Sequence, residues 1–286
     1  MKKLIFIATI LIAVIITIGL ISCAKTNITE NNNETTELVN PYNYMGETHN
    51  EGLDYILEGI QNLSNSGVNA SFDEFSIQVS NSYNEFCVNN IEGYDGISIS
   101  YKCNFAEMSS VFLNSRGTLL DSIIANSELS EKQKEYLEKI PALFVDFDEY
   151  TELSDSLNTL SSLVQADTEL SEEEKLITLG SYSVALSSYE YWVSNFDEWI
   201  NVINTALDLE LDANDFTEDE IRNIALSDVA GGLGGGIGGA IWGALVGPAG
   251  AGAGAVIGGG SGLVTGAIGG SVTCAIIMWL QAEGYW

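Results

Sequence analysis

The sequence predicts a mainly α-helical protein, in which a helical domain is followed by a C-terminal hairpin of two glycine-rich helices. Three observations support this fold class. Between residues 41 and 227, aliphatic and aromatic residues recur three and four positions apart, which is the spacing of one helix face. Several Ser or Thr residues stand just before acidic runs, as they do at the start of a helix. From residue 229 to 282 the chain carries no charge over 54 residues, and glycine recurs at every fourth position in two series.

The N-terminus has the pattern of a secretory signal. Residues 1–3 are Met-Lys-Lys, and residues 4–19 are an uncharged run of mostly Ile, Leu, Val and Ala. The following Leu20-Ile21-Ser22-Cys23 resembles the lipobox of bacterial prolipoproteins. The resemblance implies a signal peptide over 1–22, acylation of Cys23 with chains such as palmitate, and a lipid-anchored place in the bacterial cell envelope, at the outer membrane or the cell surface. The alternative is an uncleaved N-terminal membrane helix, which also puts the rest of the chain outside the cytoplasm.

The charge balance argues against nucleic acid as a partner. The chain has 40 Asp and Glu against 10 Lys and Arg, for a net charge of −30. Such a charge keeps an exported protein soluble and repels anionic lipid headgroups, so membrane contact must depend on acyl chains or apolar surface. Residues 23–40 are polar and rich in Asn, Thr and Glu, which predicts a flexible tether. Membrane lipid is the expected partner, and no protein partner is indicated.

Residues 41–227 are predicted to form one acidic helical domain. Its helix starts are marked by a hydroxyl residue that caps the first turn and a Gln or Glu three residues later that completes a capping box. The pairs are Ser130 with Gln133, Ser171 with Glu174, and Thr217 with Glu220. Their uneven spacing favours ordinary helix capping over a degenerate helical repeat. Helices are expected near 49–63, 71–90, 105–125, 130–140, 142–164, 171–208 and 217–227, with a short β-hairpin within 91–104.

The segment 228–286 is predicted to be a glycine-zipper hairpin that turns at Gly247-Pro248. In a helix, residues four apart lie on one face, and a face without side chains lets a second helix approach to backbone contact. The glycines of the two stripes are Gly231, Gly235, Gly239, Gly243, Gly247, Gly250, Gly254, Gly258, Gly262, Gly266 and Gly270. The pattern resembles the glycine-zipper segments of some bacterial envelope lipoproteins and, more loosely, small membrane-active bacteriocins.

A membrane location is predicted for this hairpin. Residues 229–270 contain 19 glycines, which disfavour an isolated helix in water by about 10–20 kcal/mol relative to alanine. A bilayer enforces the helix because an unpaired backbone costs more there. Trp279, Tyr285 and Trp286 would then lie at the water interface, with Asp228 and Glu283 on the outer side, while Trp242 must face lipid or a partner. The alternatives are a flexible tail, a hairpin buried against the helical domain, and a packed element in an oligomer.

No catalytic or metal-binding constellation is visible in the sequence, and no cofactor is expected. His49 is the only histidine, which excludes metal sites built from imidazole pairs within one chain. It is expected at a helix start, since no Gly-x-Ser-x-Gly elbow or catalytic-type cysteine accompanies it. Its surroundings, NPY…HNEGLDY, are similar to the openings of uncharacterised exported bacterial proteins. The acidic residues of 208–215 favour a solvated linker over a calcium loop, because Ala213 replaces the turn glycine.

Cys87 and Cys103 are close enough in sequence to form a disulfide in an oxidising envelope, and two buried thiols are the alternative. The leading hypothesis is a non-enzymatic cell-envelope lipoprotein whose glycine zipper supplies a second membrane attachment or a self-association surface. The rival is a bacteriocin-like or antagonistic toxin whose hairpin inserts into target membranes. A surface hydrolase is a third class, for which the sequence offers no motif.

Overall fold

The chain is mainly α-helical, as the sequence predicts. A computed structural model describes residues 39–65, 69–92, 94, 118–127, 129–146, 150–246 and 251–284. Within these ranges the helices are α1 (Asn43–Ser64), α2 (Phe72–Asn90), α3 (Thr118–Asn126), α4 (Glu131–Leu137), α5 (Lys139–Asp146), α6 (Tyr150–Ala166), α7 (Glu172–Leu207), α8 (Glu218–Val246) and α9 (Ala251–Ala282). A short 3-10 turn, Ala213–Asp215, precedes α8.

The three predicted helix caps are present. In each, the hydroxyl accepts from the backbone N–H three residues later, and the side chain of that later residue accepts from the backbone N–H of the cap. The pairs are Ser130 with Gln133, Ser171 with Glu174, and Thr217 with Glu220. These local contacts start α4, α7 and α8 within a residue of the predicted positions.

Several boundaries differ from the sequence prediction. α1 begins at Asn43, well before the predicted start near residue 49, so His49 lies inside the helix. A break at Glu138 separates α4 from α5, because the ring of Pro141 excludes a continuous hydrogen-bonded helix through Leu137. α8 does not end near 227 but runs on to Val246. The predicted hairpin in 91–104 and the first part of the 105–125 helix fall almost wholly outside the described residues.

α7 is the central helix of the fold. Every residue from Leu176 to Ala185 is buried, so this part of α7 is covered on all sides. α1 packs along it, α8 and α9 pack against it, and α6 and α4 cover further parts of its surface. α9 also contacts α1 and α2, while α8 also contacts α3. The helices that precede the glycine-rich hairpin therefore pack against much of its described part.

The apolar helix of the hairpin is covered by protein. The stretch Ile257–Ala282 of α9 is long and apolar enough to cross a membrane, and 89% of its most apolar window is buried within the described part of the molecule. The tertiary contacts offset the low helix propensity of the glycines, a role that the sequence assigns to a bilayer. The arrangement corresponds to the alternative in which the hairpin packs against the helical domain.

Candidate functional site

The two helices of the hairpin contact each other through their backbones. At each crossing, a methyl group added to one glycine would collide with the carbonyl oxygen of the glycine opposite. The paired glycines are Gly231 with Gly266, Gly235 with Gly262, and Gly239 with Gly258. The partner number falls as the first number rises, so α8 and α9 run antiparallel. Backbone contact of this kind is what a glycine stripe permits.

The remaining glycines of the two predicted stripes are not paired glycine to glycine in the described part of the hairpin. A methyl group on Gly270 would meet the carbonyl oxygen of Ser227, at the end of the contact region. Gly247 and Gly250, at the predicted turn, lie outside the described residues, and the surroundings of Gly243 and Gly254 are likewise outside the described part. The hairpin contact is therefore documented from Gly231 to Gly239 on α8 and from Gly258 to Gly270 on α9.

A buried carboxylate, that of Asp228 on α8, lies where the glycine contacts end. Its Oδ2 accepts hydrogen bonds from Ser188 on α7 and, at 2.6 Å, from Ser271 on α9. Nε2 of His49 on α1 lies 3.4 Å from the same oxygen. The indole N–H of Trp192 donates to Ser271 Oγ at 2.8 Å, which fixes that hydroxyl. We call His49, Ser188, Asp228 and Ser271 the Asp228 cluster; it joins α1, α7, α8 and α9.

Burial dominates the electrostatics of the Asp228 cluster. The side chains of His49 and Asp228 are both 0% exposed. Burial raises the pKa of the Asp228 carboxyl, because a dry interior disfavours the charged form, and the nearby His49 ring and the hydrogen bonds from Ser188 and Ser271 only partly counter it. Oδ1 of Asp228 has no hydrogen-bond partner within the described residues. The cluster is thus a charged or proton-bearing centre in an apolar interior.

The Asp228 cluster lacks the geometry of a hydrolase triad. In such a triad the serine donates to the histidine and faces substrate. Here Ser188 donates to the carboxylate instead, and Ser188, His49 and Asp228 are all completely buried. Nδ1 of His49 lies 2.9 Å from Oδ1 of Asn50, whose amide in turn donates to the Ser187 carbonyl at 3.0 Å. The arrangement holds helices together and offers no opening for a substrate.

α1 is held closely on α7 by small and polar residues. A methyl group on Gly46 would collide with Ser187 Oγ and the Ser183 carbonyl, so only glycine fits there. The Gly46 N–H donates to Ser183 Oγ at 3.0 Å, and that hydroxyl donates to the Asn43 carbonyl at 3.0 Å. The Asn40 amide donates to the Leu179 carbonyl at 2.8 Å. These contacts fix α1 on α7 so that the His49 ring lies next to Asp228.

Trp279 lies in the protein interior and not at the predicted water interface. It is 1% exposed, and its ring centroid is 6.0 Å from that of Trp199 and 6.1 Å from that of Phe196. Asp228, predicted on the outer side of a membrane, is instead fully buried, whereas Glu283 is exposed. Both corrections have one cause, since the body of the protein covers the end of the zipper at which Asp228 and Trp279 lie.

Several residues with predicted roles lie outside the described part of the chain, namely Tyr285, Trp286 and the acylation site Cys23. The surroundings of the Trp242 side chain are likewise not described. Cys87 is buried and forms no disulfide within the described residues. Cys103 lies outside them, so the disulfide between the two stays a prediction.

The acidic linker before α8 is ordered by its own side chains. Asp212 Oδ1 accepts from the backbone N–H of Asn214 at 2.9 Å and caps the 3-10 turn. Among the described residues, no group of three or more His, Cys, Asp and Glu side chains is arranged to hold a metal ion. The linker residues therefore serve as local caps in this structure.

Comparison with protein-family models, with curated protein sequences and with solved structures finds no match to this chain.

The contacts of Ser188, Ser271 and Trp192 with the Asp228 cluster are not predicted by the sequence patterns described above. A signal for them was present in α7. Residues 176–189 carry no charge over nearly four turns, which indicates a helix buried on all faces. Two such uncharged helical regions in one chain favour packing against each other. Serines on their facing sides, and a single Asp at the border of the uncharged run, then indicate a buried polar contact.

Proposed function

We propose that the chain is a non-enzymatic, lipid-anchored protein of the bacterial cell envelope. In this proposal the glycine-zipper hairpin is the internal scaffold of its helical domain, and Cys23 is the attachment to the membrane. The observation that carries it is the burial of α9, whose apolar surface is occupied by α1, α2, α7 and α8. A helix whose apolar surface already contacts protein has little left with which to bind lipid.

The acidic surface supports the same proposal. The hairpin from 229 to 282 is uncharged, so the net charge of −30 belongs to the rest of the chain. Such a surface repels anionic headgroups. Lipid attachment at one end then holds the domain near a membrane without embedding it.

Membrane fractionation with a carbonate wash tests the proposal. We expect the wild type in the membrane fraction, and a Cys23→Ala chain exported behind a cleavable non-lipoprotein signal in place of residues 1–22 in the soluble fraction, although its hairpin is intact. Cys87→Ala, which changes a buried thiol, is the matched control and should fractionate like the wild type. Carbonate-resistant membrane association of Cys23→Ala would contradict the proposal and would point to insertion of the hairpin, the behaviour expected of a membrane-perturbing protein.

A further inference from the structure

We infer that the Asp228 cluster is a proton-dependent lock that holds the α8–α9 hairpin against α1 and α7. One side chain comes from each of the four helices: His49 from α1, Ser188 from α7, Asp228 from α8 and Ser271 from α9. Two of these helices form the hairpin and two form its cover. Any separation of hairpin from cover must break these contacts.

The other close contacts between hairpin and cover include apolar packing and hydrogen bonds, which run from Tyr83 to the Thr265 carbonyl and from Trp192 to Ser271. Gly52 of α1 lies against Ile268 of α9, and Gly180 of α7 lies against Leu263 of α9. Neither contact involves a group that gains or loses a proton, so their strength does not change with pH. One further titratable contact joins α7 to α8, because the Tyr189 hydroxyl donates to Glu218 Oε1 at 2.8 Å. This hydrogen bond and the one from Arg222 lower the pKa of Glu218, so that contact weakens as the pH falls, opposite to the change at Asp228.

The Asp228 carboxyl is the group of the cluster whose pKa burial raises, and the His49 ring lies 3.4 Å from its Oδ2. The other titratable group near the Asp228 carboxylate is the thiol of Cys274 on α9, whose pKa burial raises to about 12, so it stays neutral. α7 presents the hydroxyl of Ser188. α3 also packs against α8, but its Asp121 is exposed.

Docking of the hairpin is coupled to proton binding. Burial raises the pKa of Asp228, and release of the hairpin would return it to the ordinary value of about 3.9. Over the range between these values the docked cluster holds a proton that the released one has lost. Docking is therefore strongest at low pH and weakens as the pH rises through the raised pKa. Loss of the proton leaves a carboxylate in a dry interior, which is costly.

The protein contains two thiols that report on this opening. Cys274 lies on α9 within the hairpin and Cys87 lies on α2 outside it, and both are buried. Burial raises the pKa of each thiol to about 12, so their intrinsic reactivities change with pH in the same way. In a background with Cys23→Ala and Cys103→Ala, alkylation at each site is measured by mass spectrometry of peptides. The ratio of the Cys274 rate to the Cys87 rate then reports opening of the hairpin alone.

We expect this ratio to rise about tenfold as the pH is raised through the pKa of the docked Asp228 carboxyl, because loss of one proton weakens docking. Asp228→Asn retains an oxygen for both serines but cannot ionise, so its ratio should stay flat. His49→Gln removes the ring that partly counters the effect of burial on the carboxylate, and its ratio should be high. Adding Asp228→Asn to His49→Gln should bring the ratio back down.

Tyr182→Phe is the control for a general loss of stability. It removes a buried hydrogen bond from the Tyr182 hydroxyl to the Tyr136 carbonyl, far in sequence from the hairpin, and it should leave the pH dependence of the ratio unchanged. Parallel exposure of Cys274 and Cys87 at every pH would overturn the inference, as would a persistent pH response in Asp228→Asn. If His49→Gln does not fold, the wild-type series and Asp228→Asn still decide the question.

Discussion

At the residue scale, the hairpin interface depends on the absence of single methyl groups. Gly234 and Gly235 are neighbours in sequence, but Gly235 lies in the helix contact and Gly234 faces open space. A methyl group on Gly235 would collide with the Gly262 carbonyl, whereas a methyl group on Gly234 would have no atom within 4 Å. The same side chain should therefore be harmful at one position and helpful at the next.

Gly235→Ala should lower the free energy of unfolding by about 1–3 kcal/mol, because the two backbones must move apart. Gly234→Ala should raise it by about 0.5–1 kcal/mol, since alanine loses less backbone entropy in a helix. Urea unfolding followed by circular dichroism measures both values. Equal effects of the two substitutions would show that the register of α8 on α9 differs from Gly235 opposite Gly262.

At the element scale, the helix starts depend on local side-chain caps. Ser171 begins α7, the helix against which most of the fold packs, and its hydroxyl accepts from the Glu174 N–H at 3.3 Å. The Glu174 carboxylate accepts from the Ser171 N–H at 2.7 Å. Both contacts are short in sequence range, which is why the sequence predicts this start correctly.

Ser171→Ala should destabilise the protein by about 0.5–2 kcal/mol, because the first-turn amide of α7 loses its acceptor. Ser171→Asp should retain most of the stability, since a carboxylate also caps and favours the helix dipole. Thermal unfolding of the two variants beside the wild type gives the comparison. A loss in Ser171→Asp as large as in Ser171→Ala would mean that the cap contributes little.

Elements that depend on distant contacts were harder to predict. The glycine stripes identified the surface by which α8 and α9 meet, because that information lies in their four-residue spacing. The sequence does not identify what covers the outer faces of the hairpin, because an uncharged run can be buried equally by lipid or by other helices. Pro141 was present as a helix breaker, yet the predicted boundaries near 140 placed the break a few residues too late. The partners of Asp228 come from three other helices, and no local pattern joins them.

At the scale of the whole molecule, the hairpin belongs to the core of the fold. α7 and α1 cover it, and their buried residues would face water if it were absent. Deletion of residues 228–286 should therefore abolish cooperative unfolding and the near-ultraviolet circular dichroism of the buried tryptophans. Deletion of residues 1–38 is the control, and it should leave both signals in place. A truncated chain that still unfolds cooperatively would show that the hairpin is a separate appendage.

The position of α9 after the helices on which it packs has a kinetic consequence. The hydroxyl of Tyr83 on α2 donates to the carbonyl of Thr265 on α9, and these residues are 182 positions apart. Contacts of such long range slow folding, because a long loop must close before they form. A ribosome-bound chain lacking α9 cannot complete the core, so part of its central helix stays uncovered until α9 has been made. Aggregation of the nascent protein is a hazard throughout that interval.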